Sequence, residues 1–123
     1  MKNFINNLIE QIKLNGNNDS FSLTIPFKFF NDEYPYLTLT IIKSSDNYYH
    51  ISDEGYTFKY LQNLDIDFNS YKDKVEIICN LFSLKIEDNK VLGIIGYGTN
   101  QLYIQLFNYL QGISHLSTIK YID

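Results

Sequence analysis

The first half of the chain changes from helical to strand-like hydrophobic spacing. Residues 2–15 place their apolar side chains three and four positions apart with polar residues between them, which predicts an amphipathic helix ended by Gly16. Residues 21–27 instead alternate apolar and polar side chains, as a half-buried strand does. Pro26 lacks an N–H for a sheet ladder, so it predicts an edge position or a bulge. Two further strands are predicted at 36–43 and 48–52, separated by a hairpin loop.

The middle of the chain predicts two short helices. Residues 56–64 place Tyr56, Tyr60, Leu61 and Leu64 on one face of the first helix. Ser70, with Asp73 three residues later, predicts the capped start of a second helix that runs to about residue 82.

The last part predicts a second hairpin and a final helix. Residues 84–87 and 90–95 flank the turn-forming pair Asp88-Asn89, an arrangement typical of a hairpin. Thr99 is expected to cap the final helix, which Gly112 would shorten or kink. The buried stripe of that helix consists of Leu102, Leu106, Leu110 and Ile113.

The element order is therefore αβββααββα. Strands grouped into two hairpin groups with helices between and around them indicate an α+β fold, in which the helices pack on one face of a small antiparallel sheet. A length of 123 residues fits a single compact domain over residues 1–123.

Composition and charge narrow the classes of partner. The chain has no Arg, and its ten basic residues are all Lys against fourteen acids, giving a net charge of −4. Since Arg makes most bidentate contacts to phosphates and guanine edges, direct nucleic-acid binding is disfavoured. Residues 44–76 hold seven of the acids and three of the Lys, so this segment carries the whole net charge.

Catalytic and compartment signals are sparse. Cys79 is the only cysteine, so no intrachain disulfide can form, and it lies in an apolar run that predicts a small buried side chain. His50 and His115 have no zinc-ligand or triad spacing, and no cofactor or metal is expected. No segment is long and apolar enough for a membrane span or a signal peptide, so a cytoplasmic location is expected.

Acidic residues flank the second and third predicted strands. Asp32 and Glu33 precede one strand, and Asp53 and Glu54 follow the next. If the two strands pair as a hairpin, both acidic pairs lie at the same end of the sheet. Converging carboxylates can bind Mg²⁺, so Asp32, Asp53 and Glu54 are the candidates for a metal-dependent nuclease or phosphohydrolase.

Tyrosine is frequent, with eleven residues in the chain. Tyr offers a large contact area at a low entropic cost and is enriched in protein interfaces. Its density within the acidic segment predicts a partner-binding face between residues 46 and 60. The candidate residues are Asp46, Tyr48, Tyr49, Asp53, Glu54, Tyr56 and Tyr60.

Two motifs resemble those of a known family. Ile25-Pro26-Phe27, followed by Asp32, an alternating strand and Ile51-Ser52-Asp53-Glu54-Gly55-Tyr56-Thr57, is similar to the T-P-F and S-D-D-G-Y-T motifs of the domain of unknown function 1828. The resemblance spans roughly residues 20–95. It implies a bacterial context that includes mobile elements and phages, and it implies no activity.

Three functions follow as hypotheses. The first is a non-enzymatic accessory protein of a phage or mobile element that binds a host protein with a basic surface. Inhibition of a defence nuclease, of the anti-CRISPR or anti-restriction type, is its specific version. The second is the metal-dependent hydrolase, and the third is a structural or assembly subunit.

Overall fold

A computed structural model of the protein describes residues 20–29, 32–43, 48–96 and 102–121. The predicted N-terminal helix over residues 2–15, the cap at Thr99 and the candidate binding residue Asp46 lie outside the described residues.

Five strands form one antiparallel sheet in the order β1-β2-β3-β5-β4. The strands are β1 (Ser20–Ile25), β2 (Leu37–Lys43), β3 (Tyr48–Ser52), β4 (Lys85–Glu87) and β5 (Lys90–Gly96). The predicted α+β class, the two hairpin groups and the order of the described elements are confirmed. The sequence predicted the strand pairs within the hairpins but not how the two hairpin groups meet, and the sheet joins them through pairing of β3 with β5.

Alternation along the strands gives the sheet two different faces. Leu37, Leu39 and Ile41 of β2 are buried, whereas the residues between them are exposed or half-buried. Pro26 directly follows β1, which is an edge strand, as the missing proline N–H predicts. The inner face therefore carries the core, and the opposite face mixes polar side chains with the exposed side chains of Ile42, Tyr48 and Ile94.

The β4–β5 hairpin turns through Asp88 and Asn89. Both residues have left-handed backbone angles, φ 52° and φ 64° respectively. Two left-handed residues match the right-handed twist of the flanking strands, and Asp and Asn tolerate this conformation better than most residues. The turn predicted from this pair is confirmed.

The described residues also contain three α-helices: α1 (Tyr56–Asn63), α2 (Lys72–Leu81) and α3 (Leu102–Ser117). The predicted cap at Ser70 is wrong, because a 3-10 helix over Phe68–Tyr71 precedes α2. Asp67 begins this 3-10 helix by accepting a hydrogen bond from the Asn69 amide at 3.0 Å. The predicted inward position of Leu64 is also wrong, since this residue follows α1 and is exposed.

Close packing of α3 against the sheet and against the segment between α2 and β4 depends on two glycines. A Cβ atom at Gly93 would lie 2.5 Å from the Tyr109 ring, and one at Gly112 would lie 2.5 Å from Leu84 Cδ1. Gly112 therefore allows close approach, and the expectation that it shortens the helix is wrong, since α3 continues to Ser117. A kink at Gly112 stays a prediction. Within the described residues, no helix has the length and apolar character required to cross a membrane.

Candidate functional site

Asp53 organises the end of β3, where the sequence placed its candidate residues. Its side chain is 2% exposed. Oδ1 accepts hydrogen bonds from the amides of Gly55 and Val91, and Oδ2 accepts one from the Thr57 amide, each at 3.0 Å. The carboxylate therefore fixes the start of α1 and ties it to β5. Because three backbone donors occupy its oxygens, Asp53 has a structural role in this conformation.

A left-handed turn follows Asp53 and presents Glu54 to solvent. Glu54 has φ 55° and Gly55 has φ 85°, and the Tyr56 amide closes the turn on the Asp53 carbonyl oxygen at 3.1 Å. Gly55 adopts this conformation without steric cost, whereas Glu54 is a residue for which it is uncommon. The Asp-Glu-Gly sequence thus buries one carboxylate and exposes the next.

Tyr56 joins α1 to the loop before β2. Its hydroxyl donates a hydrogen bond to Asp32 Oδ2, and Asp32 Oδ1 accepts one from the Tyr34 amide at 3.1 Å. Partial burial and the adjacent Asp32 carboxylate raise the pKa of Tyr56 well above its usual value, so its hydroxyl stays protonated. Asp32 and Glu54 therefore lie beside a cleft that Tyr56 helps to form.

This cleft, which we call the tyrosine cleft, has a volume of about 330 Å³. The rings of Tyr34 and Tyr36 lie beside each other, with centroids 6.1 Å apart in an edge-to-face arrangement. The two side chains are 54% and 48% exposed, respectively. The lining residues are Tyr34, Tyr36, Thr38, Asp53, Glu54, Gly55, Tyr56 and Lys59.

The register of β2 and β3 explains why these residues meet. Thr40 pairs with Ser52, so the antiparallel register, continued by two residues, brings Thr38 beside Glu54. The residues that precede β2 therefore meet those that follow β3. The sequence predicted that this hairpin would bring its two acidic pairs to the same end of the sheet.

Among the residues that the structure describes, Glu54 has one charged partner. Its Oε2 lies 3.2 Å from Lys90 Nζ, and both side chains are nearly half exposed. Partial burial acts to raise the pKa of Glu54, but hydrogen bonds from Lys90 and Ser52 outweigh this effect and hold the pKa below its ordinary value. Glu54 is therefore a solvent-accessible carboxylate that already holds a cation.

The seven predicted partner-binding residues do not form one surface in the structure. Tyr49 and Tyr60 are 2% and 8% exposed and belong to the core, so they offer little surface to a partner in this conformation. Tyr48 is 56% exposed but lies at the opposite end of β3 from the cleft. Of the remaining described residues, Glu54 and Tyr56 reach the cleft with accessible surface.

Sequence reasoning left Tyr34 and Tyr36 out of the predicted site. Both lie before β2, outside the segment 46–60 in which the binding face was expected. The hairpin pairing of β2 with β3 was the available signal, since it brings residues before β2 to the end of β3. This pairing joins the tyrosines to the end of β3 in the same way as it joins the acidic residues.

The carboxylates do not converge as a metal site would require. In the parts of the chain that the structure describes, no three side chains of His, Cys, Asp or Glu are grouped so that they could hold a metal ion. The carboxylate of Asp53 accepts hydrogen bonds from backbone amides, and that of Asp32 accepts them from the Tyr34 amide and the Tyr56 hydroxyl. This geometry gives no support to the hydrolase hypothesis.

A larger cleft lies between the end of β1 and α3. Its volume is about 450 Å³, and its lining is uncharged. The lining residues are Ile25, Pro26, Phe27, Phe107, Leu110, Gln111 and Ser114. With no charged group to orient a ligand, this cleft is less informative about function than the tyrosine cleft.

Comparison with known proteins decides the family. The model of the family described as "Domain of unknown function DUF1828" matches residues 25–116, about three quarters of the chain. The chain belongs to this family. The match to DUF1828 contains the whole tyrosine cleft, from Tyr34 to Lys59. Neither a curated protein nor a solved structure matches the chain.

Proposed function

We propose that this member of the DUF1828 family is a non-enzymatic binding domain that docks through the tyrosine cleft onto a basic surface of a partner protein. The observation that supports this most strongly is the exposure of Tyr34 and Tyr36 in the same cleft as the accessible carboxylate of Glu54. Exposed aromatic side chains beside a concave surface are typical of protein interfaces.

The cleft is also held in place before any partner arrives. The Asp32–Tyr56 hydrogen bond and the three hydrogen bonds from backbone amides to the Asp53 carboxylate fix the segments that form its walls. A preorganised surface loses less conformational entropy on binding than a flexible one. This rigidity favours a binding function.

The specific version of the proposal concerns the partner. The protein acts as an accessory protein of a phage or mobile element on a host protein, and inhibits a nuclease of the anti-CRISPR or anti-restriction type. A net charge of −4 with no Arg suits contact with a basic channel built for nucleic acid. Glu54 and the tyrosines would supply the docking contacts.

The test begins with capture of the partner. The tagged protein is passed over a bacterial lysate at low and high salt, the retained protein is identified, and its complex is rebuilt from purified components. The double variant Tyr34→Ala/Tyr36→Ala should abolish the complex. Tyr48→Ala is the matched control, because Tyr48 is equally exposed but lies at the other end of β3.

Three outcomes would contradict the proposal. Equal losses in the two variants would show that the cleft has no special part in binding. A nuclease activity that needs Mg²⁺ and survives in highly purified protein would favour the hydrolase hypothesis. A large stable oligomer of the isolated protein would favour an assembly role.

A further inference from the structure

The tyrosine cleft combines aromatic faces with a carboxylate that is only loosely neutralised. Within the described residues Glu54 meets one Lys ammonium, that of Lys90, and its other side-chain hydrogen bonds come from the uncharged hydroxyl groups of Ser52 and Thr40. Asp32, at the edge of the cleft, receives its two hydrogen bonds from uncharged donors, Tyr34 and Tyr56. Its negative charge is therefore not balanced by these contacts.

The charges around the cleft favour a cationic guest. Asp53 and Glu54 in its lining and Asp32 beside it contribute three negative charges, against two positive charges from Lys59 and Lys90, a balance of −1. The two exposed rings add negative π faces, which attract cations. Carboxylates and aromatic faces in one small cleft are the groups that recognise a basic side chain.

We propose that the tyrosine cleft receives one arginine side chain of the partner protein. The guanidinium group is planar and stacks on tyrosine, and its paired N–H donors bind a carboxylate in bidentate fashion. The ammonium group of Lys90 is a point charge and offers Glu54 neither property. Arginine of the partner therefore displaces Lys90 from Glu54 and takes its place. This inference rests on the proposed binding function and names the chemistry of its central contact.

Two lysines, Lys59 in the lining of the cleft and Lys90 beside it, oppose the binding of a cation. Lys90 competes with the guest for Glu54, and Lys59 repels a cation from the cleft wall. Lys90→Gln should strengthen binding about threefold, because the guest no longer displaces an exposed ion pair. Lys59→Gln should strengthen it by a similar factor, because one repelling charge is removed from the cleft lining. Lys85→Gln is the matched control, because Lys85 makes a similar exposed ion pair with Glu87 outside the cleft.

The experiment needs no natural partner. The ¹⁵N-labelled full chain is titrated with the peptide acetyl-Gly-Gly-Arg-Gly-Gly-amide and followed by the amide signals of Gly55, Tyr36 and Glu54. The same peptide with citrulline keeps the shape of arginine without its charge, and a third carries lysine. The arginine peptide should shift these signals at lower concentrations than the lysine peptide, and the citrulline peptide should leave them in place. Lys90→Gln should make the arginine response stronger.

Several results would overturn the inference. They are equal responses to arginine and citrulline, an equal or stronger response to lysine, no response at all, or no difference between Lys90→Gln and Lys85→Gln. If the partner complex still depends on Tyr34 and Tyr36 while the arginine peptide fails, the binding function stands and the arginine assignment falls. If the complex is indifferent to the tyrosines, the proposed function itself fails.

Discussion

The carboxylate of Asp53 accepts a hydrogen bond from the backbone amide of Val91 at 3.0 Å, across 38 residues of sequence. The Asp53 amide in turn donates to the Val91 carbonyl oxygen at 3.4 Å. Asp53 thus extends the pairing of β3 with β5 beyond the strand end and carries it into the start of α1. The position of the tyrosine cleft depends on this junction.

Replacing Asp53 with Asn should lower the free energy of unfolding. The amide oxygen of Asn can accept from Gly55 and Val91, but its NH₂ group would face the Thr57 amide, which is also a donor. One buried amide then loses its partner, and the loss should be about 2 kcal/mol. Urea denaturation followed by circular dichroism measures it.

Asp67→Asn is the matched control, since Asp67 caps a 3-10 helix at an exposed position and Asn serves equally well there. Its unfolding free energy should stay within about 0.5 kcal/mol of the original chain. Equal effects in the two variants would argue against the structural role of Asp53.

Gly93→Ala should destabilise the protein by about 2 kcal/mol, because the new methyl group meets the Tyr109 ring at 2.5 Å. The ring cannot move freely, since its hydroxyl donates to the Val91 carbonyl oxygen at 2.7 Å. Gly112→Ala should cost less, because Ala favours a helix over Gly by about 1 kcal/mol and so offsets part of the crowding at Leu84. Thermal unfolding of both variants measures the two effects. A larger loss of stability in Gly112→Ala than in Gly93→Ala would contradict this explanation.

Stability should fall in alkaline solution, in part through Tyr109. Burial, followed by the charge of Asp53, raises the pKa of Tyr109 well above its ordinary value. Above pH about 10, the unfolded chain releases this proton while the folded chain retains it, so the unfolded state gains stability. The loss of stability between pH 8 and pH 10.5 should be smaller in Tyr109→Phe than in the original chain. An identical loss in both would show that Tyr109 does not titrate in this way.

Cys79 should be a poor nucleophile in the folded protein. Its side chain is half-buried, and burial raises the pKa of the thiol. Reaction with a disulfide reagent at pH 7.5 should be roughly tenfold slower than in urea-unfolded protein. Equal rates would show that the thiol is accessible and ionised, contrary to the environment described.

The sequence predicts local structure better than it predicts the site. Alternation in β2 and the Asp88-Asn89 pair predict a strand and a turn because both depend on neighbouring residues. The pairing of β3 with β5 depends on residues far apart in the chain, and no local pattern encodes it. Tyr49 was expected at the surface because alternation alone does not say which face of a strand is covered.

The same limit applies to the carboxylates. Asp53 and Glu54 are adjacent and chemically similar. The carboxylate of Asp53 is buried and accepts hydrogen bonds from three backbone amides, whereas that of Glu54 faces solvent. The left-handed turn at Glu54 and Gly55 makes that division. A glycine after two acids indicates a turn in the sequence, but the orientation of each side chain is set by the packing of α1 against β5.

The measurement that tests the account most directly is calorimetric titration of the purified partner into Glu54→Gln and Glu87→Gln. Both glutamates are exposed and paired with one lysine, at 3.2 Å and 3.1 Å, but Glu54 alone lies in the tyrosine cleft. The account predicts that Glu54→Gln weakens binding about tenfold, as expected for a charged contact in an interface, and that Glu87→Gln leaves it unchanged. Equal affinities of the two variants would contradict the assignment of the cleft as the docking site.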